Sequence, residues 1–274
     1  TYTLGLVERF IRDWGFDGHK IDVVFAHPPR KGAKRPESSS AAMASLYRAI
    51  YDKTSKLKPQ SVTEICPCGT TPYHAWVMAQ NQAVTADPVG AVQMRRRIKL
   101  LKALLGPRFA VYADHVELTV MGKDESETGE DFASAIGTGA VVGTKFVWPK
   151  PSRALKHGAA RFLGPAKEKR WKRWLSLFKK VDLARGRYVG GLYDVALDTP
   201  ETHVVEHRGK RHYAFYAKTP GASFEGQVEF RGDLSKKERW EVFDYAKGVS
   251  LGHVTAKQRK LKVSFKGSLL TVLR

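Results

Sequence analysis

Phe16-Asp17-Gly18-His19-Lys20-Ile21-Asp22 is the stretch on which the reading of this chain turns. The run from His19 to Val24 has the apolar character of a short buried strand, and a carboxylate stands near its end. Lys20 lies two residues before Asp22, so in extended backbone both side chains share one face. An ammonium beside a carboxylate favours its ionised form.

The same design recurs outward from this stretch. Upstream, Val7, Phe10, Ile11 and Trp14 follow helical spacing, with Thr3 as N-cap and Gly15 as stop. Downstream, a Pro- and Ser-rich loop from His27 to Ser39 leads into a helix marked by Met43, Leu46, Tyr47 and Ile50. Strand-like runs follow at Ser61–Cys66, Ala83–Asp87, Phe109–Asp114 and Gly143–Trp148, with a helix over Val92–Leu105 closed by Gly106-Pro107. Strands alternating with helices at this spacing predict parallel βαβ units. A complete eight-unit barrel takes about 250 residues. The runs here fill only the first 150 or so positions, so the C-terminal part of a (β/α)8 TIM barrel is expected over 1–185.

A helix over Pro165–Val181 carries Trp171, Trp174, Leu175 and Phe178 on one face, read as packing residues. After Gly186 the period changes to two. His212, Ala214 and Tyr216 alternate with Tyr213 and Phe215, and Leu261, Val263 and Phe265 with polar neighbours. Turn signals at Arg208-Gly209, Lys218–Gly221, Lys247-Gly248 and Lys266-Gly267 separate these runs. An antiparallel β-sandwich domain is expected over 186–274.

Composition narrows the function classes. With 42% hydrophobic and 11% aromatic residues the chain can build a sizeable core, and no apolar run is long enough to span a bilayer. No membrane partner is expected. Lys and Arg number 47 against 27 Asp and Glu, a formal charge of +20. The basic clusters fall on separate elements without a recognised reader motif, so nucleic acid is not expected as the main partner. Cys66 and Cys68 are spaced poorly for a disulfide and are too few for a zinc site. The chain opens at Thr1 inside an amphipathic helix, so a further N-terminal portion carrying the first barrel strands is expected. Compartment stays open, with an exported protein favoured over a cytoplasmic one, and self-association is left open.

Asp22, Asp87 and Asp114 each fall at a strand end, where parallel barrels build their sites. Cleaving a glycosidic bond with retention needs two carboxyl groups about 5–5.5 Å apart, one as nucleophile and one as acid/base. Patterning alone leaves helix capping and a structural Lys20–Asp22 ion pair as alternatives.

These motifs resemble clan D glycoside hydrolases, the α-galactosidases of families 36 and 27. Lys20-Ile21-Asp22 is similar to the Lys-x-Asp strand end, which implies Asp22 as nucleophile and Lys20 as a sugar-hydroxyl ligand. Glu64-Ile65-Cys66-Pro67-Cys68-Gly69 resembles a Glu-Asn-Cys-x-x-Gly stretch, implying Cys66 and Gly69 in the sugar pocket, although Ile65 replaces the usual Asn. Thr85-Ala86-Asp87 resembles the strand that ends in the acid/base, implying that role for Asp87. Tyr112-Ala113-Asp114-His115-Val116 is similar to a later strand end, implying substrate contacts from Asp114 and His115. The resemblance covers nearly the whole chain in order.

It implies double-displacement hydrolysis of terminal α-D-galactosyl residues from an oligosaccharide or polysaccharide, with no metal or organic cofactor. The family's first strands bind the distal hydroxyls, so the chain by itself is expected to be inactive. A carbohydrate-binding or catalytically dead relative is the alternative from another class. Within the enzyme class, the alternatives are an α-N-acetylgalactosaminide, a β-L-arabinopyranoside or an α-glucoside as substrate.

Overall fold

A computed structural model describes residues 2–22, 39–66, 74–85, 90–114, 130–143 and 165–274. The chain forms two compact units, Thr1–Asp87 and Pro88–Arg274.

In the first unit, helix α1 (Tyr2–Glu8) passes into a wider π turn over Arg9–Asp13 before β1 (Gly18–Ile21), α2 (Ser39–Leu57), β2 (Val62–Ile65) and β3 (Gln82–Val84). β1 pairs with β2, and β2 with β3, all parallel. One face of these strands is covered. Ile21 and Ile65 pack with Val7 and Ile11 of the first helix and with Met43, Leu46, Tyr47 and Ile50 of α2, the positions that helical spacing selects.

Trp14 departs from that spacing. The π turn closes through the Trp14 amide onto the Arg9 carbonyl at 2.9 Å, five residues back. Wider turns rotate later residues off a 3.6-residue stripe, and Trp14 is 57% exposed, set against Phe10 and Phe16. β1 differs too. It ends at Ile21, none of its residues is fully buried, and Lys20 is exposed. Its described neighbour is β2 alone, so it lies at a sheet edge, where full burial of both faces is not achieved.

The second unit opens with α3 (Ala91–Leu105), β4 (Ala110–Ala113), α4 (Glu130–Gly137) and β5 (Val141–Val142), and β4 and β5 pair in parallel. Of the strand expected over Gly143–Trp148, only Gly143 is among the described residues, and β5 precedes it. Helix α4 has no counterpart in the sequence reading, being only two turns long. Helix α5 runs over Pro165–Val181, and Trp174 stacks on Phe132 at 6.1 Å between ring centroids.

The antiparallel strands β6 (Arg187–Tyr188) to β13 (Ser268–Leu273) follow. With β7 (Glu201–His207), β8 (Lys210–Tyr216), β10 (Trp240–Asp244) and β11 (Val249–Val254), six of them make a sheet in the order β11-β10-β13-β8-β7-β6, and β9 (Ser223–Glu229) pairs with β12 (Lys260–Lys266) in a second, two-stranded one. β7 and β8 turn through Arg208 and Gly209, with φ of 49° and 70°, the left-handed pair that a two-residue hairpin requires. Tyr213, Phe215 and Val242 of the large sheet pack on Val228, Val263 and Phe265 of the small one.

The opposite face of β8 is covered as well. Ala214 and Tyr216 pack with Ala133 of α4 and Trp174 of α5, so the alternation in β8 separates two buried faces. Gly137 permits this contact, since a Cβ there would lie 2.2 Å from the Tyr216 hydroxyl and 2.5 Å from the Ala214 Cβ.

A buried polar chain ties α3 to β7. The Arg95 guanidinium, 1% exposed, donates to both Glu201 carboxylate oxygens at 2.7 and 3.0 Å and to the Ser134 hydroxyl at 2.9 Å. It lies 4.0 Å from the centre of the Tyr216 ring. His203 donates from Nε2 to Glu201 at 2.8 Å, and Tyr188 donates its hydroxyl to His203 Nδ1 at 2.7 Å. Neutral imidazole satisfies both bonds in this tautomer.

Arg95→Met strands a buried carboxylate, and unfolding free energy from urea titration is expected to fall by about 3–5 kcal/mol. Acid acts on the same chain of groups. Burial would raise the Glu201 carboxyl, but bonds from His203 and Arg95 and the Arg95 charge bring it from 4.5 to about 2. That contribution is complete above 4.5 and lost as pH falls toward about 2. Burial holds His203 below its ordinary 6.5, so the unfolded chain takes up that proton first and stability also declines below 6.5. Urea midpoints should therefore fall continuously between pH of about 7 and about 3; a constant midpoint would contradict this account.

Candidate active site

The strand ends of the first unit are held in step by their pairing. Gly18, His19, Lys20 and Ile21 lie opposite Val62, Thr63, Glu64 and Ile65, and the Cys66 amide donates to the Ile21 carbonyl at 2.8 Å. Glu64 lies opposite Gln82 in turn. Ile21 and Ile65 belong to the helix-covered core, so alternation assigns Lys20, Glu64 and Gln82 to the other face. Asp22 and Cys66, each one residue past its strand, continue that series.

This register needs a close approach at its start. A Cβ on Gly18 would lie 2.1 Å from the Val62 carbonyl oxygen, a contact that no ordinary side chain survives. Glycine therefore lets β1 reach β2 closely enough for the pairing that carries Asp22 to the rim.

The rim is graded in burial. Lys20 and Asp22 are exposed, Glu64 is 7% exposed, and the Cys66 thiol has no exposed surface. The Glu64 carboxylate accepts a hydrogen bond from the Gln82 side-chain amide, which offsets part of the cost of burying it. An exposed lysine and aspartate beside a buried thiol and a bonded glutamate form a polar edge on an otherwise apolar sheet. Such an edge can bind hydroxyls through Lys20 and offer Asp22 to an electrophile.

Of the residues selected from sequence, Lys20, Asp22 and Cys66 fall together at this edge. Asp114 lies in the second unit, one residue past β4 and 3% exposed. Asp87, Gly69 and His115 lie outside the described residues. Glu64 was not selected, although its spacing to Cys66 repeats that of Lys20 to Asp22. The missing cue was the register of β1 on β2, which a single sequence does not contain. Among the described residues, no group of three His, Cys, Asp or Glu side chains is arranged to hold a metal ion, and no helix is long and apolar enough to cross a membrane.

Comparison with known proteins places this geometry in context. No protein-family profile matches the chain. It is 34% identical over 245 residues to the A type blood α-D-galactosamine galactosaminidase of Flavonifractor plautii, covering 87% of this chain and 20% of that protein. The GH36 α-galactosidase AgaA of Geobacillus stearothermophilus superposes with a TM-score of 0.65 at 14% identity, over 100% of this chain and 37% of that one. The isomalto-dextranase of Arthrobacter globiformis superposes with a TM-score of 0.60 at 11% identity, over 99% of this chain and 48% of that one. The chain thus spans a fifth of the curated relative's length and under half of these solved structures. The superpositions identify the fold as the C-terminal part of a β/α barrel followed by an antiparallel β-sandwich domain.

Gly18→Ala is expected to destabilise the first unit by about 1–3 kcal/mol through overpacking against backbone. Amide hydrogen exchange at Cys66 should accelerate with it, because its acceptor lies on β1. Unchanged protection at Cys66 would show that β1 is held without that close approach.

Proposed function

We propose, from the premise that this chain belongs to the α-galactosidase-like glycoside hydrolases of clan D, that it is part of a retaining hydrolase of terminal α-D-galactosyl-type residues. Its substrate is an α-galactoside oligosaccharide or polysaccharide. The observation that carries the reading is the shared rim of Asp22 and Cys66, fixed by the β1–β2 register with Lys20 on the same face.

In this reading Asp22 attacks the anomeric carbon and forms a covalent glycosyl–enzyme bond. Asp87 protonates the departing oxygen and then, as base, activates the water that releases the sugar with retained configuration. Lys20 binds ring hydroxyls and favours the ionised form of Asp22 by its charge. Cys66, Gly69, Asp114 and His115 complete the sugar contacts. The barrel part takes in 1–185 and the β-sandwich 186–274. The longer protein supplies the remaining barrel strands, so hydrolysis belongs to it and not to these residues by themselves.

A second reading keeps the mechanism and changes the sugar to an α-linked galactosamine. It is favoured by the 34% identity to a protein named as a galactosaminidase, well above the 14% shared with AgaA.

The test is turnover of aryl α-galactoside and aryl α-galactosaminide by the intact protein and its variants. Asp22→Gly is expected to abolish turnover while leaving sugar binding nearly intact, with added azide restoring reaction to a β-glycosyl azide. Asp87→Ala should slow cleavage of poor leaving groups by about 10²–10⁴-fold and yield the α-azide. Full activity in Asp22→Gly would remove the nucleophile assignment. Binding of either sugar with no turnover by the wild type would favour a carbohydrate-binding relative.

A further inference from the structure

A concave cleft lies at one end of the six-stranded sheet, far in sequence from Asp22. Its volume is about 320 Å³, and six basic side chains line it: Arg108, Arg187, Arg208, Lys210, Arg211 and Lys236. Among the described residues, only two carboxylates, Glu206 and Asp233, share the lining. Arg187 and Arg211 both bond Glu206, the second at 3.0 Å, and Arg208 reaches Asp182 at 3.1 Å. Arg108, Lys210 and Lys236 make no ion pair with a carboxylate among the described residues. A surplus of positive charge therefore converges on one concavity.

The surplus is felt within the wall. Burial first, then the charges of Arg208, Arg185 and Arg108, hold His207 below its ordinary value despite the opposing pull of Asp182. Like charges brought together in a fold repel one another, and an anion seated among them relieves that cost. Guanidinium groups match planar or tetrahedral oxyanions through forked donors. The remaining wall is apolar, made by Leu234, Trp240 and Leu273. An apolar wall facing converged polar groups in a half-open concavity has the form of a small-ligand site. A polynucleotide would call instead for a groove that follows a backbone over several phosphates, with exposed stacking rings. Trp240 is engaged otherwise, with Lys237 4.8 Å above its ring and its indole N–H bonded to the Leu234 carbonyl.

We infer that this cleft binds the acidic unit of a glycan, a sugar bearing a sulfate ester or carboxylate, and so anchors the β domain to its substrate away from the hydrolytic rim. The anion is set by the side chains just named. The sugar rests on the glycosidase reading, because a chain-processing enzyme meets such groups on the same polymer.

Calorimetric titration of the intact protein tests this with lactose, sulfated lactose, digalacturonate, inorganic sulfate and a short oligothymidylate. At least one acidic disaccharide should bind about ten-fold more tightly than both lactose and inorganic sulfate. The double variant Arg108→Ser/Lys236→Ser, which removes two exposed cations without an ion-pair partner, should bring its affinity down to that of lactose. Turnover of a neutral aryl glycoside by the variant should be unchanged. Equal affinity for acidic and neutral disaccharides, an unaltered variant, or inorganic sulfate binding as well as the acidic sugar would overturn the site. Tighter binding of the oligothymidylate would overturn it in favour of a nucleic-acid surface. Because binding is read independently of turnover, a protein that binds but does not hydrolyse loses only the catalytic reading.

Discussion

The parallel register of β1 on β2 is the constraint on which the candidate active site depends. It rests on Gly18, whose missing Cβ admits the Val62 carbonyl, and is locked at the other end by the Cys66 amide on Ile21. Between these points Ile21 and Ile65 turn into the helix-covered core. A strand has a period of two, so fixing its apolar residues inward fixes its polar ones outward. Lys20 and Asp22 occupy their positions as a consequence of hydrophobic burial on the other side of the same strand. A slip of one residue would exchange the two sets and remove the site.

The second unit solves a different problem. Its large sheet must be covered on both faces, by the small β9–β12 sheet on one and by α4 and α5 on the other. Covering the helix side buries Arg95, and the molecule keeps that charge by surrounding it with Glu201, Ser134 and the face of Tyr216. Removing one partner of such a cluster costs more than the cluster contributes in net stability. This explains how α3 and β7 come to share one compact unit.

Much of this architecture was legible in the residues. The spacing of Met43, Leu46, Tyr47 and Ile50 gave α2, and the Gly106-Pro107 stop gave the end of α3. The period-two runs gave β8 and β12, and Arg208-Gly209 gave a hairpin. What escaped was non-local or short. The π turn over Arg9–Asp13 depends on backbone hydrogen bonding, so Trp14 fits the helical spacing of Val7 and Ile11 and is nevertheless exposed. Helix α4 is too short for a periodic signal and is stabilised by the sheet beneath it. Strand β5 is two residues long, below any pattern. At the site, Lys20, Asp22 and Cys66 were recognisable by motif, whereas Glu64 required knowledge of which strand lies beside which.

The central claim is that Asp22 forms the covalent bond to the sugar. A fluorinated α-galactosyl fluoride, and its galactosaminyl counterpart, should trap that adduct on the intact protein for peptide mass spectrometry. The account predicts the added sugar mass on the peptide containing Asp22, with fragment ions assigning it to that carboxylate. Modification of another carboxylate, or continued turnover with no adduct, would contradict it.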